Sequence, residues 1–320
     1  MIKKAARWIV SQLRPDSTRR KYVEHELLSD PTIRFAPPGH FYSPLPNVRE
    51  IEEEADRFFN PALAEDGVRL DLQEQQRLLA TLAEFSSQFD WPEDPVPGRR
   101  FFINNDYFGP GDALILFSVI RHFRPRRIIE VGSGFSSALM LDTNDRLGDP
   151  KMELCFIEPY PDRLESLLTK EDKKSVKLLA TPVQKVPLEL FDALEANDIL
   201  FIDSSHVAKI GSDVNHLFFS ILPRLAEGVL IHIHDIFYPF EYPREWLREG
   251  RSWNELYFLR AFLQYNSAFE VLLFNGYLWH HSASFIEARL PLMAINPGGS
   301  IWLRKRSRNT GSDRAVKAGN

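Results

Sequence analysis

The sequence predicts an α/β fold in which helices cover both faces of a parallel sheet. Beyond residue 127, short apolar runs rich in β-branched and aromatic residues alternate with segments of helical periodicity, an order typical of βαβ units. These runs are apolar at consecutive positions, as expected of strands that are buried on both faces. The Pro-rich segment 91–98 precedes this region and marks a domain boundary.

The individual elements follow from this alternation in chain order. The predicted strands span residues 127–131, 154–158, 176–180, 199–203, 229–234, 269–274 and 300–303, and the predicted helices span residues 136–147, 161–168 and 213–225. Upstream, leucines at three- and four-residue steps predict a helix within 71–89, and recurrent prolines predict an extended segment at 31–61. The expected domains are an N-terminal helical and Pro-rich cap at 1–99, the α/β domain at 100–306 and a flexible tail at 307–320.

Composition and charge restrict the class of protein. The 320 residues are 44% hydrophobic and 26% charged, as in an ordinary globular domain. The 39 basic and 44 acidic side chains give a formal net charge of -5, which argues against a nucleic-acid partner. Apolar runs fall short of the ~20 residues of a membrane span, so no integral membrane segment is expected. The single cysteine, Cys155, favours a reducing compartment, and we expect a cytoplasmic location.

Two further features leave alternatives open. The basic segment 1–21 is interpreted as a solvated terminal helix or arm rather than as a helix on a membrane surface. The sequence does not decide the oligomeric state, a homo-oligomer included.

A glycine turn follows the first predicted strand. The segment Glu130-Val-Gly-Ser-Gly-Phe-Ser-Ser137 leads into a helix, where the glycines permit a tight turn and the helix start offers free N–H groups. Taken alone, it is equally typical of an ordinary strand-to-helix turn. The second strand, however, ends on Glu158, whose carboxylate can accept hydrogen bonds from both ribose hydroxyls. Because Ser137 stands where a dinucleotide fingerprint needs Gly or Ala, the pair predicts a smaller adenosine ligand.

At these residues the chain resembles the class I S-adenosylmethionine-dependent methyltransferases, over residues 100–305. The resemblance implies a Rossmann-like sheet of seven strands whose last strand, near Ile301, is antiparallel. It implies S-adenosylmethionine (SAM) as cofactor, with the methionine part at the glycine turn, the ribose at Glu158 and the adenine near residues 159–160 and 181–184. The cofactor-binding residues expected on this basis are Glu130, Gly132, Ser133, Gly134, Ser136, Glu158 and Asp203. The N-terminal cap lies outside the shared region and is expected to cover the acceptor side.

Acids and histidines follow the fourth and fifth predicted strands. One strand ends in Asp203-Ser-Ser-His206 and the other in His234-Asp235. Since neighbouring carboxyl ends of parallel strands open into one crevice, these side chains are expected to converge. Two carboxylates there suit Mg²⁺ or Mn²⁺, and a histidine suits general-base catalysis near neutral pH. The alternative interpretation is that the acids cap helices and the histidines are satisfied core residues.

The same residues resemble the metal-assisted O-methyltransferases of catechol and macrolide-sugar type. In those families acids after strands four and five bind a divalent cation, and the macrolide-sugar members carry a base histidine three residues after the first acid. The resemblance implies His206 and Asp203 as catalytic residues and Asp203, Asp235 and His234 as metal ligands. Two positions depart from it, because Ile236 stands in place of the catechol-type amide and His234 in place of the macrolide-type acid. A metal-free mechanism therefore stays open.

Residues around this crevice could form a pocket wall. Seven of the 21 residues at 237–257 are aromatic, against 12% overall, and they could either wall a sugar or ring site or pack a loop onto the domain. Upstream, Asp112 is predicted as a helix N-cap, and Tyr107 and Asp112 as residues of the pocket rim.

The sequence thus predicts an enzyme that transfers a methyl group from SAM to a hydroxyl of a small molecule, a sugar or secondary metabolite. One alternative is another adenosine-ligand enzyme on the same scaffold, an oxidoreductase or an aminopropyl transferase. Another is a non-catalytic adenosyl-binding protein, because a fold does not determine function.

Overall fold

The computed structural model describes residues 35–63, 66–148 and 150–307. The strands are β1 Arg127–Val131, β2 Glu153–Ile157, β3 Lys177–Leu179, β4 Ile199–Ile202, β5 Leu230–His234, β6 Phe269–Phe274 and β7 Ser300–Lys305. The α-helices are α1 Val48–Glu53, α2 Ala55–Phe58, α3 Leu72–Ala83, α4 Pro110–Phe123, α5 Phe135–Leu147, α6 Asp162–Leu167, α7 Asp172–Ser175, α8 Glu189–Asp192, α9 Asp213–His216, α10 Arg244–Arg248, α11 Glu255–Leu263, α12 Asn275–Arg289 and α13 Pro291–Ile295. The basic segment 1–21 and residues 308–320 of the predicted tail lie outside the described residues.

The strands form one sheet in the order β3-β2-β1-β4-β5-β7-β6. Strands β1 to β5 pair in parallel, whereas β7 runs antiparallel to both β5 and β6. The strands β1, β4 and β5 at the centre of the sheet are almost completely buried, as their uninterrupted apolar runs predict. The predicted α/β class, the seven strands and the antiparallel last strand are therefore confirmed.

Helices on the sheet continue the core beyond the α/β repeats. Residues 111–120 of α4 are all buried. Leu79 and Leu82 of α3, together with Trp91, belong to the same hydrophobic core as Ile128 of β1. The boundary predicted between residues 99 and 100 therefore does not coincide with a break in the core.

The described residues divide into two compact units. In the smaller unit, residues 35–58 and 244–252, Asn47 caps α1 and Arg248 forms an ion pair with Glu52. The larger unit, residues 59–243 and 253–307, contains the whole sheet. None of the helices described here is both long and apolar enough to cross a membrane.

The predicted N-cap role of Asp112 is wrong. Helix α4 begins after Gly109, so Asp112 lies within its first turn, where its side chain is buried. Its carboxylate accepts hydrogen bonds from the side chains of Asn275 and Ser300 and from the Gly299 N–H. Asp112 thus ties α4 to the start of β7 and does not lie at a pocket rim.

The helix predicted over residues 213–225 is only partly α-helical. After α9 the chain continues as a π-helical turn, Leu217–Ile221, and a 3₁₀ turn, Leu222–Arg224. Pro223 has no N–H to donate within this segment, and its ring disfavours regular α-helical continuation.

Candidate functional site

The carboxyl ends of four parallel strands lie side by side at one edge of the sheet. Val131 of β1 pairs with Ile157 of β2 and with Ile202 of β4, and Ile202 pairs with Ile233 of β5. The residues that follow these strands are therefore neighbours in space, although they are far apart in the sequence.

A cleft of about 430 Å³ lies along this edge. It is lined by residues 131–132, 157–160, 182–184, 203–205, 209 and 211–213. The structure thus brings Gly132, Glu158, Asp203 and both segments predicted for the adenine side into one cleft. Tyr160 is 82% exposed at this cleft, so its ring is free to stack on a planar group.

Gly132 occupies the tightest point of the glycine turn. Its φ is +83°, and its N–H donates to the carbonyl of Ile157. A Cβ at this position would lie 1.7 Å from the backbone oxygen of Asp203. The N–H of Asp203 also donates a hydrogen bond to the carbonyl of Val131. The turn therefore packs directly against the loop after β4, and only glycine fits there.

Glu130 and Ser136 lie behind this turn. The Glu130 side chain is fully buried and accepts hydrogen bonds from the hydroxyls of Ser136 and Ser137. Ser137 also accepts a hydrogen bond from the Gly134 N–H at 3.0 Å. Burial raises the pKa of Glu130 to about 8. None of these three side chains lines the cleft, so their contacts explain how the start of α5 is held rather than how a ligand is held.

Glu158 offers a carboxylate at the cleft, and Ser133 lies beside it in the glycine turn, outside the residues that line the cleft. The Glu158 carboxylate accepts hydrogen bonds from the N–H groups of Ser133 and Tyr160, which hold it in place and leave lone pairs on both oxygens. The Ser133 hydroxyl is buried and has no hydrogen-bond partner among the described residues. A carboxylate for the ribose and an unpaired hydroxyl in the glycine turn fit an adenosine cofactor with a polar methionine part.

Tyr107 lies beside the glycine turn but is not among the residues that line the cleft, so its predicted place at the pocket rim stays a prediction. The Tyr107 ring stacks on Phe135 with an interplanar angle of 10°. The guanidinium carbon of Arg163 lies 3.7 Å from the centroid of the Tyr107 ring. A Cβ on Gly134 would lie 3.0 Å from Arg163. Sequence reasoning missed Arg163, because an arginine in the helix after β2 gives no local signal that it reaches the turn after β1.

His206 is buried between two acids, Asp203, which lines the cleft, and Asp235. Its Nε2 is 3.3 Å from Asp203 Oδ1 and 3.3 Å from Asp235 Oδ2. The convergence expected from the strand order is therefore present for these three side chains. Both His206 and Asp235 have positive φ angles, +60° and +57°, a conformation that non-glycine residues adopt rarely and often at functional sites.

The charges of this cluster reinforce one another. Burial acts to lower the pKa of His206, but hydrogen bonds to Asp203 and Glu255 outweigh it and hold the pKa well above its usual value. Burial acts to raise the pKa of Asp203, but the charges of His234 and His206 outweigh it and lower the pKa. Burial raises the pKa of Asp235. The site therefore favours a positive charge between its two aspartates.

The same three residues could hold a metal ion. Among the described residues, Asp203, His206 and Asp235 offer ligand atoms that all lie within 4.8 Å of one another. His234, the third ligand expected from the sequence, lies outside this group. Its Nε2 is 3.7 Å from Asp235 Oδ1, and its Nδ1 is 3.4 Å from the Nε2 of the buried His232.

Glu255 completes the site and was not expected from the sequence. Its side chain is fully buried at the first residue of α11, and its Oε2 lies 2.9 Å from Nδ1 of His206. The Ser204 hydroxyl also donates to this carboxylate. In the sequence an acid at a helix start is typical of a favourable interaction with the helix dipole, so no pattern pointed to the histidine 49 residues earlier.

The aromatic segment is in part packed into the core, and whether it also walls an acceptor site stays a prediction. Phe240 and Tyr242 are buried, and the Tyr242 hydroxyl accepts a hydrogen bond from the Leu256 N–H. Trp253, in contrast, packs against His206, and the centroids of the two rings are 4.4 Å apart. Part of the segment therefore forms core, and part of it reaches the site.

Comparisons with known proteins relate the chain to methyltransferases. A family model described as a methyltransferase domain matches residues 129–236. An uncharacterized protein of Archaeoglobus fulgidus is 38% identical over 168 residues, which are 51% of this chain and 75% of that protein. The family match runs from β1 to the residue after Asp235 and includes Gly132, Glu158, Asp203 and His206.

Solved structures that resemble this chain have a lower sequence identity to it than the Archaeoglobus fulgidus protein has. The SAH-bound methyltransferase PaMTH1 of Podospora anserina has 17% identity and a TM-score of 0.40, with 83% of this chain and 99% of that chain covered. The O-methyltransferase TomG of Streptomyces achromogenes, involved in tomaymycin synthesis and solved with SAM, has 17% identity and a TM-score of 0.40. That match covers 79% of this chain and 96% of TomG.

Proposed function

We propose that this chain is a class I S-adenosylmethionine-dependent methyltransferase that methylates a hydroxyl of a small molecule such as a sugar or a phenol. The match of residues 129–236 to a methyltransferase domain supports the methyl-transfer part of this proposal. The observation that carries this proposal is the position of His206. An alcohol must lose its proton on methylation, and His206 presents one ring nitrogen to two aspartates, of which Asp203 lines the cleft. The net charge of -5 supports a small acceptor rather than a nucleic acid.

The residues of the cleft bind and align the cofactor in this proposal. Glu158 accepts hydrogen bonds from the ribose hydroxyls, Tyr160 stacks on the adenine, and the turn at Gly132 lets the methionine part approach the backbone. Bound SAM supplies an electrophilic methyl group on a sulfonium. Since the reaction is an in-line displacement, the main contribution of the chain is to align the acceptor oxygen with that methyl group.

His206 acts as the general base in this proposal. In the structure the carboxylates of Asp203 and Asp235 favour the protonated imidazole. With those carboxylates bound to a divalent cation, Nε2 would release its proton and then accept the one that the acceptor hydroxyl gives up. Trp253, packed against the ring, contributes an apolar wall beside the acceptor. The assignment of His206 and Asp203 as catalytic residues rests on this geometry.

A divalent cation fits the same aspartates. Three carboxylates, those of Asp203, Asp235 and Glu255, surround one imidazole, and a divalent cation would balance this excess of negative charge. We propose Asp203 and Asp235 as the ligands of this cation, without His234, and Nε2 of His206 stays available for the acceptor proton. When bound, such a cation lowers the pKa of a coordinated hydroxyl.

Removal of divalent metal is therefore expected to abolish most of the activity. Dialysis against a chelator should lower the rate of methyl transfer, and Mg²⁺ or Mn²⁺ should restore it. In calorimetry, Asp235→Asn should weaken Mn²⁺ binding by at least about 10- to 100-fold, because the site loses a charged ligand. Asp162→Asn, in which an exposed acid of α6 is changed, serves as the control. Full activity after complete metal removal would establish a metal-free mechanism.

Cofactor binding tests the proposal first. We expect calorimetry to show binding of SAM and S-adenosylhomocysteine and none of NAD. Glu158→Ala should weaken both adenosyl ligands by about 100-fold, because each lost hydrogen bond to a charged group is worth about 1.5–3 kcal/mol. Glu153→Ala, at the exposed opposite end of β2, should bind normally. Failure of the folded protein to bind either adenosyl ligand would refute the proposed use of the cleft.

Acceptor screening then separates the remaining candidate functions. Methyl transfer from labelled SAM to catechol or glucose would support the proposal directly. Binding of NAD instead would favour an oxidoreductase, and SAM binding without transfer to any hydroxyl probe would favour a non-catalytic adenosyl-binding protein. We also propose a cytoplasmic location, which the single free cysteine, the buried Cys155, supports.

A further inference from the structure

We propose that Glu255 is a positioning residue for methyl transfer, which fixes the imidazole of His206 through a hydrogen bond to Nδ1. This inference rests on the proposed function, because it assigns Glu255 a task in the same site. Glu255 touches no reacting atom in this proposal and acts only through His206.

The start of α11 holds the backbone of His206. The carbonyl of His206 accepts hydrogen bonds from the N–H groups of Asn254 and Glu255, at 3.0 and 3.1 Å. The Asn254 side chain adds two bonds to the backbone of Ala208, as acceptor at 2.6 Å and as donor at 3.3 Å. These contacts explain how His206 can maintain a φ of +60°, which is unfavourable for a residue with a Cβ.

The Glu255 side chain adds a hydrogen bond to the His206 ring, which is separate from the hydrogen bonds that hold the His206 backbone. A fully buried carboxylate carries a large desolvation cost unless hydrogen bonds compensate it, and the Glu255 side chain is fully buried. Its described partners are the Ser204 hydroxyl and Nδ1 of His206, both in the loop after β4. Backbone hydrogen bonds already hold the loop after β4, so the buried Glu255 carboxylate is not needed to fix the path of that loop.

Fixing one ring nitrogen determines where the other points. With Nδ1 held by Glu255 at 2.9 Å, Nε2 lies 3.3 Å from both Asp203 and Asp235. Such a partner on the far nitrogen sets the tautomer and the ring orientation of a functional histidine. Without Glu255 the ring could rotate about χ1 and χ2, and Nε2 would no longer be held between Asp203 and Asp235.

The first test is spectroscopic and needs neither cofactor nor acceptor. In protein labelled with ¹⁵N-histidine, His206 should give a downfield Nδ1–H resonance that exchanges slowly with water, identified by its loss in His206→Ala. Glu255→Ala should abolish this resonance, and Glu255→Asp should restore it in part. Asn254→Ala removes the side chain that binds the backbone of Ala208 but leaves the contact between Glu255 and the His206 ring, so the resonance should persist. An unchanged resonance in Glu255→Ala would overturn the proposal.

The second test measures the consequence for catalysis, with catechol as the acceptor probe. Glu255→Ala should lower kcat by about 10- to 100-fold, with little change in KM and in SAM affinity. Asp142→Asn removes a different buried carboxylate, one that binds Trp91 and Arg100, and should leave kcat unchanged. If Glu255→Ala is unstable, Glu255→Leu, which has no hydrogen-bond acceptor on its side chain, takes its place in both tests.

The outcomes separate this inference from the proposed function. Loss of the resonance together with a lower kcat supports the inference. A fall in kcat that merely parallels a fall in thermal stability, or that equals the effect of Asp142→Asn, would overturn it in favour of a structural role. If the wild-type protein transfers no methyl group to any hydroxyl probe, the proposed function fails, while the resonance still decides whether Glu255 fixes His206.

Discussion

Replacement of His206 by alanine is expected to lower kcat for methyl transfer by about 10²–10⁴-fold, the usual contribution of a general base, and to leave SAM affinity unchanged. The expectation follows from the geometry, because Nε2 of His206 faces the two aspartates rather than the glycine turn or Glu158. Removing the ring therefore removes the proton acceptor and spares the residues proposed to hold the cofactor. Steady-state kinetics and calorimetry on the same preparation measure the two effects separately.

Two controls test whether the effect of His206→Ala is specific to the lost imidazole. His122→Ala changes a histidine in the last turn of α4, which leads to the opposite end of β1, and should leave kcat unchanged. Free imidazole in the buffer should restore part of the rate of His206→Ala, because the cavity left by the ring can admit it. A normal rate in His206→Ala would reduce the residue to a structural role. Loss of SAM affinity would instead place the ring in the cofactor site.

Replacement of Gly132 by alanine is expected to abolish measurable SAM binding and to lower the thermal stability of the protein. A Cβ there would lie 1.7 Å from the backbone oxygen of Asp203, so the turn after β1 and the loop after β4 would have to separate. Both segments line the cofactor cleft. The resemblance found in the sequence implies that the methionine part lies at this turn, where an added side chain would take up its space. The structure adds a nearer cause, which is collision with the protein's own backbone.

Gly98→Ala provides a matched control for Gly132→Ala. Gly98 has a φ of +81°, almost the same as the +83° of Gly132, but a Cβ on it would meet no atom within 4 Å. The control thus carries the cost of a positive φ, about 1 kcal/mol, without the steric collision. Calorimetry and thermal unfolding should show normal SAM binding and a small loss of stability for Gly98→Ala. Wild-type SAM affinity in Gly132→Ala would remove the glycine turn from the cofactor site.

The sequence alone determined the sheet and the edge at which the site lies. The predicted strands at 127–131 and 269–274 have the bounds of β1 and β6, because uninterrupted apolar runs are a local property of buried strands. Chain order and the resemblance together predicted the antiparallel β7. The positions of Gly132, Glu158, Asp203 and Asp235 followed, since each stands immediately after a strand whose neighbours the topology dictates.

Only the tertiary structure decided which side chains meet and what each of them faces. Glu130 is identified by the same motif as Gly132, yet it binds the hydroxyls of Ser136 and Ser137 beneath the turn. Asp112 has the sequence context of a cap but is buried against the start of β7. Glu255 reaches His206 across 49 residues of chain. These contacts depend on how separate elements pack and on side-chain direction, and neither property leaves a periodic or local signal in the sequence.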